Sequence, residues 1–430
     1  MKKTTVAFNK PLVIACSVAA TAALGLILIN LAGGERKMTR KIDRLYSVED
    51  DQFERNMDVI LGPAVIGGNK IEALLNGDEI FPAMLAAIRA AQKTITFESY
   101  IYWSEQIGEQ FADALVDRAR AGVNVHLLVD AVGSSKLDDH QMKKMVDAGV
   151  ELRKYRPLSW RTLARYNNRT HRKLLVIDGK LGFTGGVGIA GQWTGNAQDA
   201  DHWRDSHFRI QGPVVAQMQG VLIDNWTKTT GVVLHGEGYF PELSEVGTVS
   251  AQVFSSSPTG GSESMELMYL LSITAAKSTL DLSSSYFVPD QLARDALVAA
   301  LERGVRVRII TPGRHIDERE VRTASRGGWG PLLRAGAEIY EYQPTMYHCK
   351  VMIIDGLLVS VGSTNFDTRS FKLNDEANLN VFDAEFAAAQ TATFEQDLIL
   401  ARRMTLADWE ARPASQKVAE YVASQFGAFL

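Results

Sequence analysis

HRKLLVIDG at residues 171–179 and HCKVMIIDG at residues 348–356 are two copies of one pattern, His-x-Lys-(x)4-Asp-Gly. The apolar run after each lysine predicts a buried strand, and the i, i+2 spacing would place His and Lys on one face of that strand. Asp-Gly then predicts a two-residue hairpin turn into a return strand. Asp178 and Asp355 are therefore expected to be turn and scaffold residues, and they enter the candidate catalytic set as members of the motif.

The segments that precede the two motifs repeat one order of helices and strands. RARAGVNVHLLVD at 118–130 matches ALERGVRVRIIT at 300–311, and VDAGVELRKY at 146–155 matches LRAGAEIYEY at 333–342. Such alternation of helices and strands predicts an α/β fold. We expect two tandem α/β domains, at 65–245 and 246–430, each a mixed, mostly parallel sheet flanked by helices and related by a pseudo-two-fold axis.

The duplication gives the motif its significance. A single His-x-Lys on a strand is more often a surface pair than a functional site. Here both copies carry Asp-Gly at the same distance, and six residues after each Asp the sequence continues with small residues, Gly185-Gly186 and Gly362-Ser363. The two motifs are therefore expected to form one active site.

The amino-acid composition and the net charge limit the classes of function that are expected. An apolar fraction of 46% and a charged fraction of 22% are typical of a globular protein. The formal net charge of −4 lacks the basic surplus of proteins that grip nucleic acid, so no nucleic-acid partner is expected. The only two cysteines, Cys16 and Cys349, are not expected to pair, and no zinc-type spacing occurs, which favours chemistry without a metal or cofactor.

The N-terminus predicts a membrane segment. An apolar run of near-spanning length, PLVIACSVAATAALGLILINLA, occupies residues 11–32. No clean small-x-small cleavage site follows it, so residues 1–33 are interpreted as an uncleaved single-pass anchor in the inner membrane, with a cleaved signal peptide as the alternative. Lysines and arginines flank the run on both sides and leave its orientation open. A charged neck without a core pattern is expected at 34–64.

The motif pair resembles the phospholipase D superfamily, whose pattern is H-x-K-(x)4-D-(x)6-G-[GS]-x-N. The second copy matches it throughout, at His348, Lys350, Asp355, Gly362, Ser363 and Asn365, whereas the first has Gly188 in place of the final Asn. The resemblance covers residues 65–410 or so and is greatest to bacterial phospholipase D-type cardiolipin synthases. WRDSHFRIQGPVV, SSYFVPD and GSTNFDTRSFKLNDEANL support it.

The residue types suit phosphodiester chemistry. Lys173 and Lys350 can hold an anionic phosphodiester, with Ser363 and Asn365 as neutral donors and Gly186 as the first half's candidate phosphate contact. One imidazole attacks phosphorus, while the other protonates the leaving alkoxide and later deprotonates the incoming alcohol. The resemblance implies that His171 is the nucleophile and His348 the acid and base.

A histidine in this role needs a carboxylate on its other ring nitrogen. The resemblance places acids at Asp205 and Glu376, which follow the two motifs at corresponding places, and Asp375 is the nearest competitor for the second position. Whether each acid serves the histidine of its own half or of the other half is left open by the sequence.

The resemblance implies a phosphatidyltransferase of the cardiolipin synthase type. Its substrates would be phospholipids, namely phosphatidylglycerol and possibly phosphatidylethanolamine as donors, and a lipid hydroxyl as acceptor. A hydrolytic phospholipase D would use the same residues with water as the acceptor. A nuclease and an inactive membrane adaptor are less favoured alternatives, and the oligomeric state is left open.

Overall fold

The computed structural model describes residues 10–32, 40–44, 46–157, 159, 166–258 and 265–425. Its strands are β1 Ile66–Leu75, β2 Thr94–Ser99, β3 Asn124–Asp130, β4 Glu151–Tyr155, β5 Leu174–Ile177, β6 Leu181–Gly185, β7 Ser206–Gln211, β8 Val249–Ser256, β9 Thr279–Ser284, β10 Phe287–Val288, β11 Arg306–Pro312, β12 Glu338–Tyr342, β13 Lys350–Ile354, β14 Leu358–Gly362, β15 Phe366–Asp367, β16 Glu376–Phe382 and β17 Ala401–Met404.

The helices alternate with these strands as the repeats predict. They are α1 Lys10–Ala32, α2 Asp51–Leu61, α3 Asn76–Ala90, α4 Gln106–Arg120, α5 Asp139–Asp147, α6 Val215–Thr230, α7 Met265–Ala275, α8 Gln291–Glu302, α9 Arg319–Gly327, α10 Trp329–Arg334, α11 Thr368–Lys372, α12 Ala384–Ile399, α13 Leu406–Glu410 and α14 Ala414–Gln425.

A single sheet runs through both halves of the molecule. Its fifteen strands follow the order β17-β12-β11-β9-β13-β14-β16-β8-β1-β7-β6-β5-β2-β3-β4. The same arrangement of strands therefore occurs twice, in opposite directions from the centre, where β1 and β8 pair antiparallel. The expected α/β class, the duplication and the flanking helices are confirmed, and the two predicted sheets are joined into one.

The prediction that each sheet is mostly parallel was wrong. Within each half only three strands run parallel, β2, β3 and β4 in the first and β9, β11 and β12 in the second. The other neighbouring strands pair antiparallel. For β5–β6 and β13–β14 the reason is local, because the Asp-Gly hairpins reverse the chain directly, whereas a parallel pair needs a long crossover.

Asp178 and Asp355 organise the turns that close these hairpins. Each has a positive φ, 52° and 51° respectively, which Asp tolerates better than most residues. The Asp178 carboxylate accepts hydrogen bonds from three consecutive backbone N–H groups, and so does that of Asp355; the donors are Gln92, Lys93 and Thr94 for the first and Lys277, Ser278 and Thr279 for the second. Both carboxylates therefore join the hairpin to the start of the neighbouring strand.

The two halves share a hydrophobic core. One cluster of buried side chains combines Leu174, Val176 and Phe208 of the first half with Val351 and Ile353 of the second. Further clusters lie within each half. Because the strands within both motifs, β5 and β13, enter the shared cluster, packing fixes the two motifs relative to each other.

The segment before β1 differs in part from the predicted charged neck. In α2, Phe53, Met57 and Leu61 are buried against the core of the second half, so the expectation of a neck without a core pattern was wrong. Residues 10–32 form α1. Across the described part of the chain, no helix combines the length and the apolar character that crossing a membrane requires.

Candidate active site

Backbone hydrogen bonds join the start of each motif to the opposite half. The His171 N–H donates to the Asp375 carbonyl at 2.8 Å, and the Asp375 N–H donates to the Arg169 carbonyl at 2.9 Å. In the second motif the His348 N–H donates to the Arg204 carbonyl at 2.7 Å. His171 and His348 lie just before the strands β5 and β13, outside the strand ladder of their own half. The backbone hydrogen bonds to the opposite half therefore hold them in position.

Each histidine is hydrogen-bonded to an acid of the other half. Nδ1 of His171 lies 3.1 Å from both carboxylate oxygens of Glu376, and Nδ1 of His348 lies 2.7 Å from Oδ2 of Asp205. All four side chains are buried. Since an acid engages Nδ1, Nε2 of each ring is the nitrogen available to a substrate, and Nε2 of His348 also lies 3.2 Å from Nζ of Lys350. The arrangement resolves the question that the sequence leaves open, and it favours Glu376 over Asp375.

Glu376 and Asp205 accept hydrogen bonds from different kinds of side chain. Glu376 accepts a hydrogen bond from the Ser363 hydroxyl at 2.5 Å, and Asp205 accepts one from the Trp193 indole at 2.9 Å. A Cβ at Gly186, the counterpart of Ser363, would lie 2.2 Å from the Asp205 carboxylate. Ser363 thus donates a hydrogen bond to one acid, and Gly186 leaves room for the other; neither is among the residues that line the pocket described below, and their phosphate contacts stay predictions.

Two buried lysines stand beside the histidines. Nζ of Lys173 donates to the His171 carbonyl at 2.8 Å, and Nζ of Lys350 donates to the His348 carbonyl at 2.8 Å and to the Ser285 hydroxyl at 2.5 Å. Burial lowers the pKa of Lys173 to about 7 and lowers that of Lys350 as well. Both ammonium groups are incompletely compensated, so a bound phosphate anion would stabilise them.

The environment also lowers the pKa of both histidines. Burial is the main cause, and the neighbouring lysines add to it, so that the pKa of His171 falls to about 4 and that of His348 to about 3. Burial alone would raise the pKa of Asp205 and Glu376, but the histidines and lysines outweigh it and keep both acids ionised. In the absence of a substrate anion, both imidazoles are neutral at pH 7.

The departure of Gly188 from the family pattern has a steric explanation. A Cβ at Gly188 would lie 3.0 Å from the Trp193 ring and 2.9 Å from the side chain of Ile101. The indole that supports Asp205 therefore fills the space that an asparagine would need. Its counterpart Asn365 lines the pocket and is buried, and its Oδ1 has no hydrogen-bond partner among the described residues. The candidate phosphate contact of Asn365 is thus available in one half only.

His171 and His348 open into one pocket of about 850 Å³. Its aromatic wall packs against the histidines: the Tyr100 ring lies 5.2 Å from that of His171, and Trp193 and Trp203 lie 5.2 and 5.3 Å from that of His348. Basic and acidic side chains are also part of the lining, namely Lys136, Arg169, Arg369, Asp317, Glu318, Glu320 and Asp367. Asp178 and Asp355 are not part of the lining, in agreement with their contacts at the turns.

Sequence reasoning missed the residues that support the site from behind. Arg204 forms a buried, two-pronged ion pair with Asp397, at 2.9 and 3.0 Å, and its carbonyl holds His348. On the other side, Tyr155 donates to Asp375, whose carbonyl holds His171. A buried charge needs a partner. Arg204 directly precedes the candidate catalytic acid Asp205, so its position in the sequence could have indicated a buried ion pair beside the site.

Comparison with known proteins agrees with this geometry. The family described as "Cardiolipin synthase, PLD-like domain" matches residues 84–218 and 269–398, one segment in each half. The cardiolipin synthase of Geobacillus kaustophilus is 36% identical over 352 residues, which cover 81% of this chain and 70% of that protein. The major cardiolipin synthase ClsA of Bacillus subtilis is 32% identical over 357 residues, covering 82% of this chain and 74% of that protein.

A solved structure supports the fold over the same extent. The phosphatidylserine synthase of Haemophilus influenzae superposes with a TM-score of 0.64 at 13% identity, covering 88% of this chain and 99% of that one. At this identity the likeness concerns the fold alone. The family match in both halves and the two relatives, together with the paired histidines, lead to one conclusion: the chain belongs to the cardiolipin synthase family of proteins with phospholipase D-like domains.

Proposed function

We propose that this protein is a phosphatidyltransferase of the cardiolipin synthase type. The observation that carries the proposal is the pair of histidines in one pocket, each hydrogen-bonded through Nδ1 to a buried acid of the other half. The family and its relatives supply the substrate class, which is phospholipid. The proposed donor is phosphatidylglycerol, and the proposed acceptor is the hydroxyl of a second lipid head group.

In the proposed first step, Nε2 of His171 attacks phosphorus, and the bond between phosphorus and the head-group oxygen breaks. Glu376 on Nδ1 stabilises the cationic imidazole that forms. His348 gives a proton to the leaving oxygen, so the head group departs as a neutral alcohol. Burial and Lys350 lower the pKa of His348 to about 3, and the substrate anion raises it again, which allows this proton to be carried.

In the proposed second step, the acceptor hydroxyl attacks the phosphohistidine. His348 removes the hydroxyl proton as the new bond between oxygen and phosphorus forms and the bond between phosphorus and His171 breaks. Lys173 and Lys350 stabilise the negative charge on the non-bridging oxygens in both steps. Water in place of the lipid hydroxyl would complete the same steps as hydrolysis.

The reaction is tested by its products. We expect the purified full-length chain, incubated with vesicles of phosphatidylglycerol, to yield cardiolipin and glycerol, identified by mass spectrometry. Vesicles that also contain phosphatidylethanolamine will show whether that lipid serves as a second donor. Phosphatidic acid as the only lipid product would replace the synthase with a hydrolase, and DNA cleavage without any lipid turnover would contradict both.

We further propose that the N-terminal segment of residues 1–33 anchors the chain in the inner membrane. The apolar sequence of residues 11–32 and a lipid substrate support this location. We expect the expressed protein to stay with the membrane fraction after washing with alkaline carbonate. Release of the intact chain by that wash would contradict an anchor, whereas release of a shortened chain would indicate a cleaved signal.

A further inference from the structure

A second cationic cleft lies on the second half, outside the catalytic pocket. It has a volume of about 360 Å³ and opens between α9, α13 and the ends of β11, β12 and β17. Five arginines but only two carboxylates line it; they are Arg314, Arg322, Arg326, Arg402, Arg412, Glu341 and Asp408. This local excess of positive charge contrasts with the formal net charge of −4 of the whole chain.

Structural ion pairs account for three of these arginines. Arg322 donates to Glu341 at 2.6 Å, and both Arg326 and Arg412 pair with the buried carboxylate of Glu420 on α14. These contacts join α9, α14 and β12. Even so, Nε of Arg322 is buried and has no hydrogen-bond partner among the described residues. An unpaired buried donor is costly and is relieved when a ligand accepts from it.

The remaining two arginines have no such structural role. Within the described ranges, neither Arg314 nor Arg402 has a carboxylate oxygen within ion-pair distance, and both side chains are exposed. Nε of Arg314 donates a hydrogen bond to Nε2 of the adjacent His315. Two exposed guanidinium groups without a close carboxylate therefore line a cleft in which arginines outnumber carboxylates by five to two, and such a donor set suits a phosphate group.

The position of the cleft relates it to the catalytic pocket. β9, β11 and β12 run parallel, so their carboxyl ends meet at one edge of the sheet. The catalytic pocket lies where β9 ends, and the cleft lies where β11 and β12 end. Helix α9 separates the two sites: Glu320 and Val321 line the pocket, and Arg322 and Arg326 line the cleft. The two sites are therefore neighbours, one on each side of α9.

Apolar side chains flank the cleft. The side chain of Ile399 is 81% exposed and that of Leu400 48% exposed, and the Leu400 carbonyl accepts a hydrogen bond from the backbone of Gln343, a lining residue. Exposed isoleucine and leucine beside guanidinium groups suit a bilayer surface, where acyl chains and phosphates are close together. A free phosphate ion would gain nothing from them.

We propose that this arginine cleft binds the phosphate of an anionic phospholipid at the bilayer surface and so presents the catalytic pocket to its substrate. The proposal rests on the proposed function only in that the substrate lies in the bilayer. The cleft would hold a lipid that does not react, while the histidines act on another.

The kinetic test compares two double variants of the full-length chain. We expect R314Q/R402Q to raise the apparent KM for phosphatidylglycerol in phosphatidylcholine vesicles about ten-fold or more, since each basic residue near an anionic surface contributes appreciably to binding. The KM for dihexanoyl phosphatidylglycerol below its micellar concentration should change less than about two-fold, because a monomer needs no docking. Equal KM values for wild type and variant on vesicles would overturn the proposal.

The matched control removes the same charge nearby. R334Q/R403Q replaces two exposed arginines outside the cleft; Arg403 is the neighbour of Arg402 on β17, and its side chain turns to Glu338. We expect the control to resemble the wild type in both assays. An equal rise in vesicle KM for control and test variants would attribute the effect to total charge and would also overturn the proposal.

A binding test separates this inference from the proposed function. In an H348N background, which strongly slows turnover, calorimetric titration of the protein in neutral detergent with dihexanoyl phosphatidylglycerol should show two sites, one of which is lost in R314Q/R402Q. A single site that the double variant retains would contradict lipid binding in the cleft.

A parallel titration uses inorganic phosphate in place of the lipid. If the cleft binds phosphate as tightly as the lipid, it is a site for free anions instead. A wild type without lipid turnover would refute the proposed function but leave this test intact.

Discussion

Replacing His348 with Asn will lower lipid turnover by roughly 10²- to 10⁴-fold, the usual contribution of a positioned acid and base. The same variant will still react once with a p-nitrophenyl ester of a phosphatidyl group. Nitrophenolate leaves without protonation, so the attack of His171 needs no acid, while the next step still lacks its base. We therefore expect a burst of about one nitrophenolate per chain followed by a stall.

His171→Asn is the matched variant, since it also replaces a buried imidazole with an amide in the same pocket. Without the nucleophile we expect neither burst nor turnover. Intact-protein mass spectrometry of the stalled H348N chain should show an added phosphatidyl group, and circular dichroism will confirm that both variants fold. A burst in H171N but not in H348N would reverse the two roles, and a burst in neither, with normal wild-type turnover, would rule out a covalent intermediate.

The sequence predicted those features of the fold that are local. A nine-residue motif, its Asp-Gly turn and the paired helices and strands before it are all contiguous stretches, so the duplication and the α/β class could be recognised. The direction of the strands is not local. It depends on which neighbours pair, and the hairpins at Asp178 and Asp355 determine more of those pairs than the repeats indicate.

The arrangement of the site depends on contacts between distant residues. His171 meets Glu376 across 205 residues, and His348 meets Asp205 across 143. Corresponding positions in two repeats are compatible with either pairing of acid and histidine, so symmetry could not choose between them. The backbone bonds from His171 to Asp375 and from His348 to Arg204 decide the pairing, because each places the next residue, an acid, beside the opposite ring.

The sequence shows that the first motif lacks the final Asn of the second, but it does not explain the difference. Gly188 lies in a stretch between Asp178 and Asp205 that is longer than the one between Asp355 and Glu376. That extra chain brings in Trp193, which donates to Asp205 and occupies the place of the missing asparagine. The role of Ser363 was likewise hidden, because a hydroxyl in a phosphate-binding motif is equally suited to a carboxylate such as Glu376.

The crosswise pairing of acids and histidines leads to the second large expected effect. Glu376→Gln should behave like H171N, with neither burst nor turnover, because its amide no longer stabilises the cationic imidazole of His171. Asp205→Asn should behave like H348N, with a burst but with turnover reduced roughly 10²- to 10⁴-fold, since the amide favours the wrong tautomer of His348. Both substitutions preserve shape and remove one charge.

Asp178→Asn provides the control for the loss of a motif carboxylate. Its carboxylate accepts from backbone N–H groups at the hairpin, which an amide oxygen can partly replace, so we expect turnover close to that of the wild type. The comparison of bursts is decisive because the two pairings predict opposite results. If each acid served the histidine of its own half, D205N would lose the burst and E376Q would keep it. Only the pairing across the two halves gives a burst in D205N and none in E376Q.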